Sequence, residues 1–100
     1  MEINEYKVEE YLKVTVKGRL DTNTAPELEK TILEEMESIN KLDLDFSDLD
    51  YISSAGLRVV LMLHKTLSAK KGVLKILHPK EEVMDVFDMT GFSSFLNNEE

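Results

Sequence analysis

Two adjacent serines, Ser53 and Ser54, lie in the run DLDYISSAGLRVVLMLHKTL (Asp48 to Leu67), where an acidic stretch gives way to apolar residues at helical spacing. A hydroxyl at such a junction stands beside the unpaired N–H groups and the positive dipole end of a starting helix, both of which favour an anion. The chemistry this suits is esterification by phosphate. Either serine also serves as an N-cap, the commoner role of serine at a helix start. Ala55 and Gly56 follow, keeping bulk away from the hydroxyl and opening the backbone to another protein, while glycine weakens the first turn. Upstream, Asp43, Asp45, Asp48 and Asp50 crowd negative charge onto the same approach. Ser47 reads as part of an Asx/ST-type turn.

Other chemistries find no support. ISSAG lacks the glycine two residues before the serine that a nucleophile elbow needs. His64 and His78 share no metal-ligand spacing, and no glycine-rich loop cradles a phosphate. His64 falls ten residues after Ser54, about 15 Å along a helix, too far to act as its base; a half-buried packing role is expected. With no cysteine there is neither a disulfide nor a thiolate site. The reading is of a chain that is not an enzyme and carries no cofactor and no metal.

The elements that must hold these serines follow from periodicity. Ile3 to Val8 and Tyr11 to Lys17 read as an N-terminal hairpin, since Leu12, Val14 and Val16 alternate with polar residues. Gly18 to Asn23 reads as a loop. Thr24, Ala25, Pro26 and Glu27 match a capping box with proline in the first turn, so a helix is predicted over Thr24 to Ser38 with Ala25, Leu28, Ile32, Met36 and Ile39 as its apolar stripe. Asp21 just ahead reads as a second cap or turn residue. Lys41 to Phe46 alternates as a strand, and Ser47 to Ser54 reads as the junction to the next helix, Ser54 to Ala69, capped by Gly72. Val73 to Leu77 is a further strand, Lys80 to Met89 a short helix stopped by Gly91, and Phe95 and Leu96 a last short strand before residues 97–100 fray. Strands that alternate with helices pair in parallel through crossovers, and sites in such sheets gather where strands end and helices begin.

One hundred residues with 42% hydrophobic and 32% charged side chains fit one folded domain, 1–100. The net charge of -8 opposes nucleic-acid and anionic-membrane binding and suits a partner with a basic face. The N-terminus MEINEYKVEE is no signal peptide, and no run approaches the roughly 20 apolar residues of a membrane span, so a cytoplasmic location is expected.

Three segments resemble one family. Asp48 to Leu57, with the core ISSAGL, resembles the signature of the STAS domain in bacterial anti-sigma factor antagonists, an acid, a few residues, then D-S-[SA]-G-L; GRLDTNTAPEL (Gly18 to Leu28) resembles its G-x-L-D-x-x-T-A segment, and VFDMTGF (Val86 to Phe92) its F-D-x-[ST]-G-[LF] segment. Many members have aspartate where this chain has Ser53. The resemblance implies an α/β STAS-like fold, a mixed sheet of four to five strands with three main helices, built from a hairpin and βαβ crossovers. It implies that Ser54 is phosphorylated, and that Asp21, Ser53, Ser54, Gly56, Leu57 and Arg58 form a docking surface. The implied partners are an anti-sigma factor serine/threonine-protein kinase, which binds the unphosphorylated form and so releases a sigma factor, and a metal-dependent Ser/Thr phosphatase. Two other roles stay open: a constitutive STAS subunit of a lipid-transport or stress-signalling assembly, and a domain that senses a nucleotide or other anion at the helix end.

Overall fold

The computed structural model describes residues 1–91 and 97–99. The chain opens with β1 (Glu2–Val8) and β2 (Tyr11–Leu20), an antiparallel hairpin closed at Glu9 and Glu10 with Val8 opposite Tyr11. After a turn comes α1 (Ala25–Leu33), then a 3-10 turn at Met36–Ser38, β3 (Lys41–Asp45), β4 (Leu49–Ile52), α2 (Ser54–Ala69), β5 (Val73–Leu77), α3 (Glu81–Thr90) and β6 (Asn97–Glu99). The sheet runs β1-β2-β3-β5-β6, with every pairing after the hairpin parallel and with β4 attached to β2. This is the mixed α/β architecture expected, with β4 as the strand that the sequence reading lacks.

Alternation decides which face is covered. Leu12, Val14 and Val16 of β2, Leu42 and Leu44 of β3, and Leu74 and Ile76 of β5 all point to one buried face. The helices complete that core with Leu28 and Ile32 from α1 and Leu57, Val60, Leu63 and Leu67 from α2. α3 lies against β4 and buries Val83 and Phe87. α2 is apolar around much of its circumference, burying Leu57, Val59, Val60, Leu63 and Leu67.

Several boundaries differ, each for a local reason. β2 does not stop at Lys17. Gly18 takes φ 102, open to glycine and strained for other residues, and this lets the strand bend and continue to Leu20. The predicted helix over Thr24 to Ser38 ends as an α-helix at Leu33. Glu34, Glu35 and Glu37 are unfavourable at a helix C-terminus, and the Ser38 hydroxyl donates to the Glu35 carbonyl at 2.9 Å, competing with the α-helical ladder. Met36 and Ile39 stay buried all the same, because their spacing of three fits the 3-10 turn. At the end of α2 the left-handed residue is Lys71, φ 67, and not Gly72. Gly72 is required by space instead: its N–H donates to the Leu67 carbonyl at 2.7 Å, and an added Cβ would meet the Asn40 carbonyl oxygen at 2.6 Å. Asn97–Glu99 pairs in parallel with β5, so that part of the expected frayed end is strand. The strand expected at Phe95 and Leu96 falls outside the described residues.

Candidate functional site

The site is built where β2 and β4 hand over to the turn after β2 and to α2. Gly18 pairs with Leu49, but Arg19 pairs with Tyr51, so one extra residue is accommodated on β4 at Asp50. Such a bulge breaks the period of two and re-aims side chains. Leu49 and Ile52 are buried, while Asp50 and Tyr51 both face outward. Asp50 thereby meets Lys80 at 2.5 Å, and the contact holds the Lys80 ammonium above its ordinary range.

The Ser53 N–H donates to the Leu20 carbonyl at 2.9 Å, which stitches the end of β2 to the start of α2. Ser53, extended at φ -94 and ψ 175, is the N-cap: its Oγ accepts from the Gly56 N–H at 3.2 Å. Ser54 is the first helical residue and is exposed, whereas Ser53 is half-buried. The two serines are thus separated in role. One hydroxyl is occupied by the backbone; the other faces solvent at the mouth of the helix dipole.

Asp21 stands beside this helix end because Leu20 is bonded to Ser53. Burial pushes its carboxyl up, but the N–H groups of Thr24 and Asn23, the Thr24 hydroxyl and the Arg19 guanidinium outweigh that and hold it below the usual carboxylate range. Its Oδ1 accepts from Asn23 N–H at 3.0 Å and Thr24 N–H at 3.1 Å. The expected capping box is therefore not formed. Thr24 is itself in the helical region and makes no side-chain cap; its hydroxyl donates to the Arg19 carbonyl and accepts from the Asp21 N–H, both at 2.8 Å.

The expected crowding of acids is also thinner. Asp43 is buried and its Oδ2 accepts from the Tyr11 hydroxyl at 2.7 Å; Asp45 accepts from the Ser47 N–H at 3.0 Å and lies 3.8 Å from Lys13. Both belong to the sheet, so Asp48 and Asp50 remain near the helix start. Ser47 is exposed in the expected turn, though the capping side chain is that of Asp45.

Of the expected docking residues, Asp21, Ser53, Ser54 and Arg58 reach the surface. Gly56 and Leu57 do not. Leu57 is buried at 3% exposure, and a Cβ at Gly56 would lie 2.8 Å from the Leu20 carbonyl oxygen and 2.7 Å from its side chain. What approaches the Gly56 backbone is β2, not another protein. The sequence reading overlooked Arg19 and Tyr51, whose guanidinium carbon and ring centroid lie 4.1 Å apart. Arg19 and Asp21, two apart on an extended chain, share a side, a signal that becomes legible only once β4 is known to pair there. His64 is half-buried on α2, as expected. Among the described residues no group of three His, Cys, Asp or Glu side chains is placed to hold a metal ion, and no helix is long and apolar enough to cross a membrane.

The STAS domain model matches residues 2–100. The chain belongs to the STAS domain family. It is 35% identical over 95 residues to BtrV of Bordetella bronchiseptica, assigned as an anti-sigma factor antagonist, in a match covering 94% of this chain and 82% of that protein. The fold is that of the anti-sigma factor antagonist SpoIIAA in its unphosphorylated form, with a TM-score of 0.87 at 20% identity over 99% of this STAS chain and 89% of SpoIIAA. The phosphorylated form of SpoIIAA, a Bacillus cell fate determinant, superposes with a TM-score of 0.80 at 19% identity, over 99% and 92% of the two chains. The STAS segment GRLDTNTAPEL supplies the β2 end and the Asp21 turn, and ISSAGL supplies β4's last residue and the α2 start.

Proposed function

We propose that this chain, a single STAS domain over residues 1–100, is a cytoplasmic anti-sigma factor antagonist whose binding to an anti-sigma factor serine/threonine-protein kinase is switched by phosphorylation of Ser54. The observation that carries the reading is the division of labour between the serines: Ser53 caps α2 through the Gly56 N–H, and the Ser54 hydroxyl is left exposed beside it. The partner kinase brings ATP. Ser54 Oγ attacks the γ-phosphorus, the bond to ADP breaks, and the serine proton passes to a base of the kinase. A metal-dependent Ser/Thr phosphatase hydrolyses the ester and resets the switch.

The group adds roughly -1.5 to -2 charges and three acceptor oxygens. At the start of α2 the helix dipole tolerates them, so the fold stays and the surface changes. Asp21, Ser53, Ser54 and Arg58 form the contact, with Gly56 and Leu57 holding it up from below. A loss of about 2 to 3 kcal/mol at such a contact weakens binding about 30- to 150-fold. The test is incubation with the kinase and ATP followed by mass spectrometry, with binding measured in parallel. Phosphate on Ser54, constitutive binding by Ser54→Ala and weakened binding by Ser54→Asp are expected. Phosphate on another residue, with Ser54→Asp binding like the unsubstituted chain, overturns the assignment.

A further inference from the structure

The chain has only two arginines, Arg19 and Arg58. Arg58 is exposed on α2 four residues on, where side chains share a face with about 5–6 Å between Cβ atoms. Arg19 sits opposite Tyr51 in the β2–β4 register, and Tyr51 is three residues before Ser54, an extended span of at most about 10 Å. Its present contacts are a cation–π contact and a long ion pair. The guanidinium rests 4.1 Å from the Tyr51 ring centroid, and its Nε lies 3.8 Å from Asp21 Oδ2, beyond hydrogen-bond length, on a side chain that is 62% exposed. A phosphate dianion offers a planar guanidinium paired, charge-assisted hydrogen bonds that neither an aromatic face nor a carboxylate at that distance matches. The neighbouring acids do not forbid the exchange. Asp50 is engaged by Lys80, and Asp21 keeps the Asn23 and Thr24 N–H groups when Arg19 departs.

We propose that Arg19 and Arg58 form the binding site of the Ser54 phosphoryl group, with Arg19 leaving Tyr51 and Asp21 to reach it. The inference rests on the reading of Ser54 as the acceptor. It extends the effect of modification beyond Ser54: the Tyr51 ring, 40% exposed, loses its cationic cover, so the surface met by a partner changes at two places at once.

The titration itself needs no kinase. Phosphoserine is encoded at position 54 of the full chain, and its second ionisation is followed by phosphorus NMR in that protein and with Arg19→Gln or Arg58→Gln added. Against a usual second pKa of about 6, each glutamine variant is expected to titrate about 0.5 pH units higher, about a threefold change in acid constant, with the difference shrinking as salt is raised. The Tyr51 ring resonances are expected to shift on phosphorylation with Arg19 present and to hold still in Arg19→Gln. Equal titrations in all three proteins overturn the site, and a change confined to Arg58→Gln overturns the part of Arg19. A flat titration beside correct labelling of Ser54 by the kinase removes only this inference; labelling elsewhere removes the acceptor assignment whatever the titration shows.

Discussion

Replacing Ser53 by alanine removes the oxygen that accepts the Gly56 N–H, while replacing Ser54 removes an exposed hydroxyl. Loss of a serine N-cap costs about 1 kcal/mol, which lowers the melting temperature of a domain this size by about 4–8 °C. Ser54→Ala is expected to stay within about 0.5 kcal/mol of the unsubstituted chain. Thermal melts of the two single variants check the division directly, because a shared capping role would make the losses similar. Gly56→Ala sets two effects against each other. Alanine improves a helix by about 1 kcal/mol over glycine, but its Cβ would press on the Leu20 carbonyl oxygen at 2.8 Å, which belongs to the strand backbone and is held by the Ser53 N–H. Overpacking of about 1–3 kcal/mol therefore outweighs the propensity gain, and urea unfolding is expected at a lower midpoint. Asp21 adds a pH signature. Its folded-state pKa lies below its ordinary value of 3.8, so the stability it contributes is present above that value and is lost as pH falls through the lower, folded one. Carboxyl NMR is expected to find Asp21 titrating below 3.8, and a midpoint at or above it would contradict the Asn23 and Thr24 hydrogen bonds.

At the level of elements, the sheet carries a second ionisable pair far from the serines. Burial, and then the hydrogen bond to Asp43 and its charge, push the Tyr11 hydroxyl from 10.0 up to about 12. A raised folded-state value means that this pair's contribution is complete below pH 10.0 and fades as pH climbs towards about 12. In an ultraviolet titration Tyr11 is expected to ionise well above 10.0, towards about 12, and Asp43→Asn, which keeps an acceptor and removes the charge, to bring it down. The same strands show what a sequence can and cannot reveal. β2, β3, β5, α2 and α3 were legible because their apolar positions recur at two or at three to four. β4 was not, since the bulge at Asp50 gives Leu49 and Ile52 a spacing of three inside a run of acids, which reads as a loop. The end of α1 was hidden for the opposite reason: Met36 and Ile39 continue the stripe, and only backbone competition from Ser38 and the adverse glutamates stop the helix. At the site, Ser54 and Asp21 were visible as motif residues. Arg19 and Tyr51 were not, because their meeting depends on a strand pairing that periodicity did not announce.

For the molecule as a whole, the switch reading demands that a large change in binding accompany a small change in stability. Phosphoserine at position 54 takes a chain already at -8 to about -10, which by itself disfavours the compact state through self-repulsion. Against this stand the start of α2, which is worth about 0.3–1 kcal/mol to an anion, and the two arginines beside it. These opposed terms are of similar size and both are screened by salt. The melting temperature with phosphoserine encoded at position 54 is therefore expected to differ from that of the unmodified chain by less than about 4 °C, equivalent to roughly 1 kcal/mol, and the difference to narrow as ionic strength rises. Amide chemical shifts are expected to move in Arg19 to Thr24 and in Tyr51 to Arg58, while the far end of the molecule around Lys71 and Gly72, beyond the length of α2, stays put. A shift of 10 °C or more, on the order of 2 kcal/mol, together with amide changes reaching Gly72, would mean that the phosphate reshapes the domain. A partner would then be reading a fold, where this structure offers it a surface.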